Sequence, residues 1–239
     1  MNILITGGAS GLGEAITRKL AQDPNNIIYF TFSKSGENAK RINSALTNTI
    51  PIKCDFGNTI ELKSLTDNIK QLDIDVLINN AYNGEFLKSY FHKVPSGDFL
   101  NDFKENIISV IEITQAAILG FRSKKKGKII TILTSALLNI PPIGSAVYVA
   151  NKAYLEKLTK VWASENAKFN ISSNSVSPSF MQTNLTAGID ERVVEQIKEN
   201  HPLKNLLTVD EVAETVSFLV NASNQINGID IIMNAGVQS

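Results

Sequence analysis

Short apolar runs alternate with longer amphipathic segments along the whole chain. The apolar runs predict strands that are buried on both faces, because they lack the alternation of a half-exposed strand. The segments between them repeat apolar residues at intervals of three and four, which predicts helices. The predicted strands are Ile3–Ile5, Ile27–Phe30, Ile50–Cys54, Val76–Ile78, Ile129–Leu133, Ile171–Val176 and Ile229–Met233.

This order of elements predicts an α/β fold, a doubly wound Rossmann-type parallel sheet of about seven strands with helices on both faces. A long fourth helix is expected from Phe99 to Phe121, and the helix after the fifth strand from about Ser145 to Lys168. We expect residues 1–239 to form a single dinucleotide-binding domain, because α/β folds of this length often stay undivided. The irregular segment from about Gln182 to Lys204 is expected to cover the substrate.

Composition points to a globular protein with a small-molecule partner. Apolar residues make up 43% of the chain, and 23 basic residues balance 23 acidic ones. This balance argues against nucleic acid or an anionic membrane as a partner. Cys54 is the single cysteine, so no intrachain disulfide can form, and neither a signal peptide nor a bilayer-spanning run is recognisable. We expect a cytoplasmic protein without a metal site, because the two histidines are isolated.

A glycine-rich turn joins the first predicted strand to the first helix. It reads TGGASGLG from Thr6 to Gly13. Its glycines let the backbone approach a pyrophosphate closely, and the N-terminus of the following helix favours that negative charge. The spacing differs by one residue from the commoner dinucleotide fingerprint. A plain connecting turn is the alternative, but the position after the first strand of an α/β pattern favours a dinucleotide site.

The end of the second strand bears on the choice of nicotinamide cofactor. An acidic residue there binds a ribose 2′-hydroxyl, whereas a basic residue accepts a 2′-phosphate. In this chain the strand is followed by Ser33, Lys34 and Ser35, without an acidic residue. The sequence therefore favours NADP(H) over NAD(H). The alternative is that Lys34 is an ordinary surface lysine at the start of a helix.

Tyr148 and Lys152 are four residues apart, which places them on one face of a helix. A phenol titrates near pH ~10, and an ammonium beside it favours the phenolate and lowers its pKa. Lowering the pKa to about 7 takes roughly 4 kcal/mol. Such a phenol would exchange protons with carbonyl and alcohol oxygens. The same spacing also occurs by chance on solvated helices.

Together with Asn79-Asn80-Ala81 and Ser135, these motifs resemble those of short-chain dehydrogenases/reductases. The similarity is to the compact branch that includes 3-oxoacyl-carrier-protein reductases. It covers essentially the whole chain and extends to Asn174–Pro178 and to Asn227–Gly236.

The resemblance implies a role for each residue. Tyr148 would exchange a proton with the substrate oxygen, Ser135 would hold that oxygen, and Lys152 would bind the nicotinamide ribose and depress the tyrosine pKa. Asn106 would stabilise the fourth helix and a water that links Lys152 to solvent. The implied cofactor-binding residues are Gly7, Ala9, Ser10, Gly11, Leu12, Gly13, Ser33, Lys34, Asp55, Phe56, Asn79, Ala81, Tyr148, Lys152, Pro178 and Thr183.

Several of these roles have structural alternatives. Ser135 can cap a strand end, Asn106 can be a satisfied polar group of a helix, and Asp55 can form a turn. The chain also departs from the family pattern, because Tyr82 and Ser179 stand where glycines are usual. These departures leave the fit of substrate and cofactor open.

The predicted function is that of an NAD(P)-dependent oxidoreductase, a short-chain alcohol dehydrogenase or carbonyl reductase. NADPH-dependent reduction of a carbonyl is favoured, with a homodimer or homotetramer expected from the resemblance. One alternative is a nucleotide-binding regulatory protein of the same fold with weak or no catalysis. Another is sugar-nucleotide epimerisation or dehydration, but chains with that chemistry usually carry an additional substrate domain.

Overall fold

The computed structural model describes residues 1–87 and 89–237. Seven strands in this part of the chain form one parallel sheet with the order β3-β2-β1-β4-β5-β6-β7. They are β1 (Asn2–Ile5), β2 (Ile27–Phe32), β3 (Thr49–Lys53), β4 (Val76–Asn79), β5 (Gly127–Ile132), β6 (Ile171–Pro178) and β7 (Asp230–Met233). The strand order changes direction between β1 and β4, where a doubly wound sheet opens a crevice at its carboxyl edge. The predicted fold class is confirmed.

The helices lie between these strands in chain order. They are α1 (Gly11–Leu20), α2 (Gly36–Ala45), α3 (Thr59–Leu72), α4 (Ser96–Phe103), α5 (Ser109–Lys124), α6 (Ala146–Asn166), α7 (Glu191–Asn200) and α8 (Val209–Asn221). The sequence predicted one helix from Phe99 to Phe121, but a π-helical turn, Lys104–Ile108, separates α4 from α5. Such turns widen a helix locally and are frequent at functional sites.

Two apolar cores cover the two faces of the sheet, as expected. On one face α1, α2 and α8 pack through residues such as Ile16, Ile42 and Val216. On the other face α3, α5 and α6 pack through residues such as Leu65, Ile113 and Trp162. Burial on both faces explains why the strands lack alternation, and all four residues of β4 are buried.

The segment predicted to be irregular contains more helix than expected. A short 3₁₀ turn, Asn184–Thr186, is followed by α7. Within the described residues, no helix is both long and apolar enough to cross a membrane. The same residues contain no cluster of three or more side chains able to hold a metal ion. The single-domain organisation stays a prediction.

Candidate active site

A cleft of about 980 Å³ lies at the carboxyl edge of the sheet. Most of the residues implied by the resemblance line it, although they come from distant parts of the chain. Those lining residues are Gly7, Ala9, Ser10, Gly11, Leu12, Gly13, Ser33, Lys34, Asp55, Phe56, Ala81, Ser135, Tyr148, Lys152, Pro178 and Thr183. The other two lie behind its wall: Asn79 is buried and donates from Nδ2 to Thr114 Oγ1 at 3.0 Å, and Asn106 is buried under the loop after β4.

The turn between β1 and α1 requires its glycines, either because space is lacking or because φ is positive. Gly7 has φ +66°, and a Cβ on Gly13 would lie 2.0 Å from the Gly7 carbonyl oxygen. Gly11 also has positive φ, and a Cβ there would meet Thr183 at 3.6 Å. Ser10 precedes α1 without a side-chain cap on the first N–H groups of the helix, and Ser10, Gly11, Leu12 and Gly13 line the cleft. This cradle fits a pyrophosphate, as the sequence indicated.

The end of β4 is fastened to the same turn. Thr6 Oγ1 accepts the backbone N–H groups of Asn80 at 2.9 Å and Ala81 at 3.0 Å. Asn80 Nδ2 in turn donates to the Thr6 carbonyl oxygen at 2.9 Å. The Asn79-Asn80-Ala81 motif therefore joins the two strands that flank the crevice.

The end of β2 presents Ser33 and Lys34 to the same cleft, and both residues are exposed. Asp55, after β3, also lines the cleft, and its Oδ1 accepts the N–H of Gly57 at 3.0 Å. Asp55 is therefore also the turn former that the sequence left as an alternative.

Tyr148 and Lys152 lie one turn apart on α6 and are 7% and 4% exposed. The Lys152 ammonium donates to the Ile132 carbonyl oxygen at 2.7 Å, at the end of β5. The same nitrogen lies 5.7 Å from the centre of the Tyr148 ring. Both groups thus meet in a buried corner of the cleft.

Burial is the main influence on the pKa of Tyr148. Burial raises it to about 12, and a hydrogen bond with the Thr134 side chain opposes part of this rise. Burial also lowers the pKa of Lys152 to about 8. The cost of burying a phenolate thus acts against the effect expected of Lys152, whose depression of the tyrosine pKa stays a prediction. Tyr148 is therefore a neutral phenol at pH 7, which is the form that donates a proton.

Two neighbouring hydroxyls follow β5. Ser135 begins a short 3₁₀ turn, Ser135–Leu137, and lines the cleft. Thr134 precedes it, is 8% exposed, and its Oγ1 accepts the N–H of Ala136 at 3.3 Å. Thr134 and Ser135 both line the cleft, and the Thr134 side chain opposes part of the rise in the Tyr148 pKa. Sequence reasoning did not single out Thr134, because the family motif points to the serine alone.

Asn106 holds the loop after β4 in place. Its Oδ1 accepts the N–H of Asn83 at 2.7 Å, and its Nδ2 donates to the Asn83 carbonyl oxygen at 2.8 Å. The same Nδ2 donates to Asp102 Oδ1 at 3.0 Å. Asn106 is thus a satisfied polar group of the π-helical turn, and its role in a water relay stays a prediction.

Tyr82, which replaces a usual glycine, lies in the cleft wall beside Tyr148 and Lys152. Its ring centre is 5.0 Å from that of Tyr148, with the planes at 84°. Its hydroxyl donates to Asp102 Oδ1 at 3.0 Å. Sequence reasoning did not single out Asp102, because one acidic residue in an amphipathic helix looks like part of its solvated face.

The rest of the cleft wall is mostly apolar. It includes Phe86, Ile140, Met181, Val193 and Ile197. The last two belong to α7, so residues of the segment predicted to cover the substrate do line the cleft. His201, at the end of α7, is 9% exposed and lines it too.

Comparison with known proteins agrees with this architecture. A family model described as enoyl-(acyl carrier protein) reductase matches residues 7–238. A 3-oxoacyl-[acyl-carrier-protein] reductase of Buchnera aphidicola is 31% identical, over 98% of this chain and 96% of that protein. An acetoacetyl-CoA reductase of Cupriavidus necator is 28% identical over the same shares.

A solved 3-ketoacyl-(acyl-carrier-protein) reductase from Brucella melitensis, complexed with NADH, has the same fold. It superposes with a TM-score of 0.86 at 21% identity and covers 98% of this chain and 97% of that chain. A short-chain dehydrogenase from Burkholderia cenocepacia, in complex with NADP, superposes with a TM-score of 0.84 at 24% identity and covers 98% and 96%.

The sheet, the glycine cradle and the tyrosine–lysine pair define an NAD(P)-dependent oxidoreductase. With a family model that spans residues 7–238 and a relative 31% identical along nearly its whole length, the chain belongs to the short-chain dehydrogenase/reductase family.

Proposed function

We propose that this protein catalyses the NADPH-dependent reduction of a carbonyl compound, or the reverse oxidation, with Tyr148 as the proton donor. The observation that carries the proposal is the neutral, buried Tyr148 phenol beside Lys152, in the cleft that the glycine cradle opens into. A neutral phenol suits reduction, because the oxygen of the carbonyl gains a proton as its carbon gains hydride.

Each part of the cleft has its own proposed role. The glycine cradle and the N-terminus of α1 would hold the pyrophosphate, and Lys152 would bind the nicotinamide ribose. When bound, the nicotinamide supplies the hydride. We assign the contact with the substrate oxygen to the Ser135 hydroxyl, which lines the cleft. Tyr148 then donates its proton to that oxygen. The neighbouring Thr134 hydroxyl, which also lines the cleft, is the alternative for this contact.

NADP(H) rather than NAD(H) is proposed from the end of β2. Lys34 is exposed at the edge of the cleft, where its ammonium is free to meet a 2′-phosphate, and no acidic side chain precedes it after the strand. Solved structures of the same fold contain NADP or NADH, so the fold alone does not determine which cofactor binds.

A 3-oxoacyl compound is the substrate class that we propose within carbonyl reduction. The curated relatives named above reduce such compounds by name. The apolar lining of Phe86, Ile140, Met181 and Val193 suits an acyl chain better than a sugar or a polyol.

The test is a comparison of wild type with Tyr148→Phe under NADPH and a panel of 3-oxoacyl thioesters, ketones and sugars. We expect Tyr148→Phe to lose at least about 100-fold in kcat while NADPH binding changes little, because the ring stays and only the proton is lost. Wild-type turnover by this variant would refute the mechanism.

The same panel separates the second candidate, a regulatory protein that binds the nucleotide. Tyr82, whose ring stands in the cleft wall where glycine is usual, is the observation that favours it. NADPH binding without oxidation for every carbonyl tested would support that candidate and exclude reduction.

A homodimer or homotetramer in the cytoplasm stays a prediction. Exposed apolar residues on α5 and α6, namely Leu119, Tyr154 and Val161, support association through these helices.

A further inference from the structure

We propose that Tyr82 and Asp102 are positioning residues for the Tyr148–Lys152 pair. In this arrangement the Asp102 carboxylate fixes the Tyr82 ring, and the ring fixes the Tyr148 phenol and the Lys152 ammonium. The proposal deepens the proposed function, on which it rests for its effect on turnover.

The Tyr82 ring contacts both members of the pair. It meets Tyr148 edge to face, with ring centres 5.0 Å apart, and lies 5.6 Å from Lys152 Nζ. Phe86 meets Tyr148 in the same geometry, with ring centres 5.1 Å apart. Tyr148 therefore has an aromatic ring on two sides, and edge-to-face contacts of this kind restrict the orientation of a ring.

This arrangement also stabilises the charged form of Lys152. Lys152 is 4% exposed, and its Nζ lies 5.6 and 5.7 Å from the ring centres of Tyr82 and Tyr148. Burial of an ammonium is costly unless it is compensated, and the face of an aromatic ring attracts a cation most strongly where water is excluded. The Tyr82 ring thus supplies part of the compensation that keeps Lys152 charged.

Asp102 holds the Tyr82 ring through a hydrogen bond with its hydroxyl. The carboxylate is 5% exposed, and its Oδ1 accepts hydrogen bonds from the Tyr82 hydroxyl at 3.0 Å, Asn106 Nδ2 at 3.0 Å and Asn151 Nδ2 at 2.7 Å. Asn151 directly precedes Lys152 on α6. One carboxylate therefore joins α4, the π-helical turn, the loop after β4 and α6.

A buried carboxylate is expensive and is retained where its hydrogen bonds fix a geometry. Tyr82 serves here as a constant donor, because burial and the Asp102 carboxylate both raise the pKa of its phenol far above neutrality. The Tyr82 hydroxyl proton is donated to Asp102, so we assign Tyr82 a positioning role and leave the proton transfer to Tyr148.

The first test reads the charge of Lys152 in the protein alone, without turnover. Lysine side chains labelled with ¹³C are titrated by NMR, and the Lys152 signal is identified by its loss in Lys152→Met. We expect Tyr82→Leu to lower the pKa of Lys152 by about one unit, because the cation loses an aromatic face. Tyr82→Phe keeps the face and is expected to leave the pKa within about half a unit.

Tyr90→Leu is the matched control, because Tyr90 belongs to the same loop but is 56% exposed and lies outside the cleft lining. Its Lys152 titration and turnover are expected to equal those of wild type. An unchanged Lys152 titration in Tyr82→Leu would overturn the role of the ring, whatever the enzyme reduces. Loss of turnover in Tyr148→Phe tests the chemistry separately.

The second test asks whether Asp102 acts through Tyr82. Asp102→Asn is measured in wild type and in Tyr82→Phe, which lacks the hydroxyl that bonds Asp102. We expect Asp102→Asn to lower kcat about tenfold in wild type, with NADPH affinity little changed, and to have little further effect in Tyr82→Phe. Equal losses of kcat, or equal shifts of the Lys152 titration, in the two backgrounds would show that Asp102 acts independently of the ring.

Discussion

The two ends of the cleft are built in different ways. At the cofactor end, Gly7 and Gly13 clear the space, and the first residues of α1 line it. At the catalytic end, buried polar side chains fill the space: Tyr148, Lys152 and Asp102 are all under 10% exposed. The cofactor end is therefore formed by the backbone, whereas the catalytic end depends on side-chain contacts between segments that are distant in the chain.

The two ends of the cleft therefore differ in how much folding stability their functional groups cost. A backbone cradle places polar N–H groups at a solvent-accessible edge, where their desolvation costs little. The catalytic end buries an ammonium and a carboxylate, and each such charge costs stability unless hydrogen bonds compensate for it. Changes at the catalytic end are therefore expected to move stability and activity in opposite directions more often than changes at the cofactor end.

The largest effect is expected from Lys152→Met. Burial lowers the pKa of Lys152 from 10.5 to about 8, which corresponds to a penalty of about 3 kcal/mol on the folded state at neutral pH. Loss of the hydrogen bond to the Ile132 carbonyl oxygen returns about 1 kcal/mol. We expect the variant to gain about 2 kcal/mol in free energy of unfolding at pH 7 while it loses turnover.

The sign of the pH dependence checks this explanation. Between pH 8 and 10.5 the unfolded chain binds a proton at Lys152 that the folded chain has lost, so this residue makes wild type more stable as pH rises. The difference in unfolding free energy between Lys152→Met and wild type, measured by urea unfolding, should therefore decrease over that pH range. Lys157→Met, an exposed change on the same helix, should alter stability by less than about 0.5 kcal/mol. A constant advantage would contradict the buried-charge explanation.

A comparison of Ser135→Ala with Thr134→Val tests which hydroxyl at the catalytic end contacts the substrate oxygen. Ser135 is the proposed contact for the substrate oxygen, so Ser135→Ala is expected to lower kcat about 100-fold, as for loss of one donor to a developing oxyanion. Thr134→Val is expected to lower kcat by about threefold or less. Ser135→Thr should retain more activity than Ser135→Ala, because it keeps the hydroxyl. The reverse order of the two losses would assign the role to Thr134.

The smallest effect is expected at the cofactor end, from Lys34→Ala. Lys34 is exposed, so its loss should leave the unfolding free energy nearly unchanged. One charge-assisted contact with a 2′-phosphate corresponds to about a tenfold loss in NADPH affinity, with NADH affinity unaffected. Titration of both cofactors against Lys34→Ala and the control Lys40→Ala measures this difference. Tighter NADH binding by wild type would overturn the NADP(H) proposal.

The cofactor end was more predictable from the sequence than the catalytic end. The TGGASGLG turn is contiguous, and its position after β1 already indicated a cradle. The π-helical turn was missed, because Phe99 to Phe121 keeps an unbroken helical periodicity. Asp102 was missed for a related reason, since its burial depends on Tyr82 and Asn151, which are distant in the chain.

The sequence by itself determined the alternation of strands and helices, the doubly wound sheet and the pairing of Tyr148 with Lys152, because these follow from local periodicity and short spacings. Only the tertiary structure showed that Asp102 is buried against Tyr82 and Asn151, and that burial raises the Tyr148 pKa. Both depend on how far the folded chain excludes water around a side chain, and no local pattern encodes that quantity.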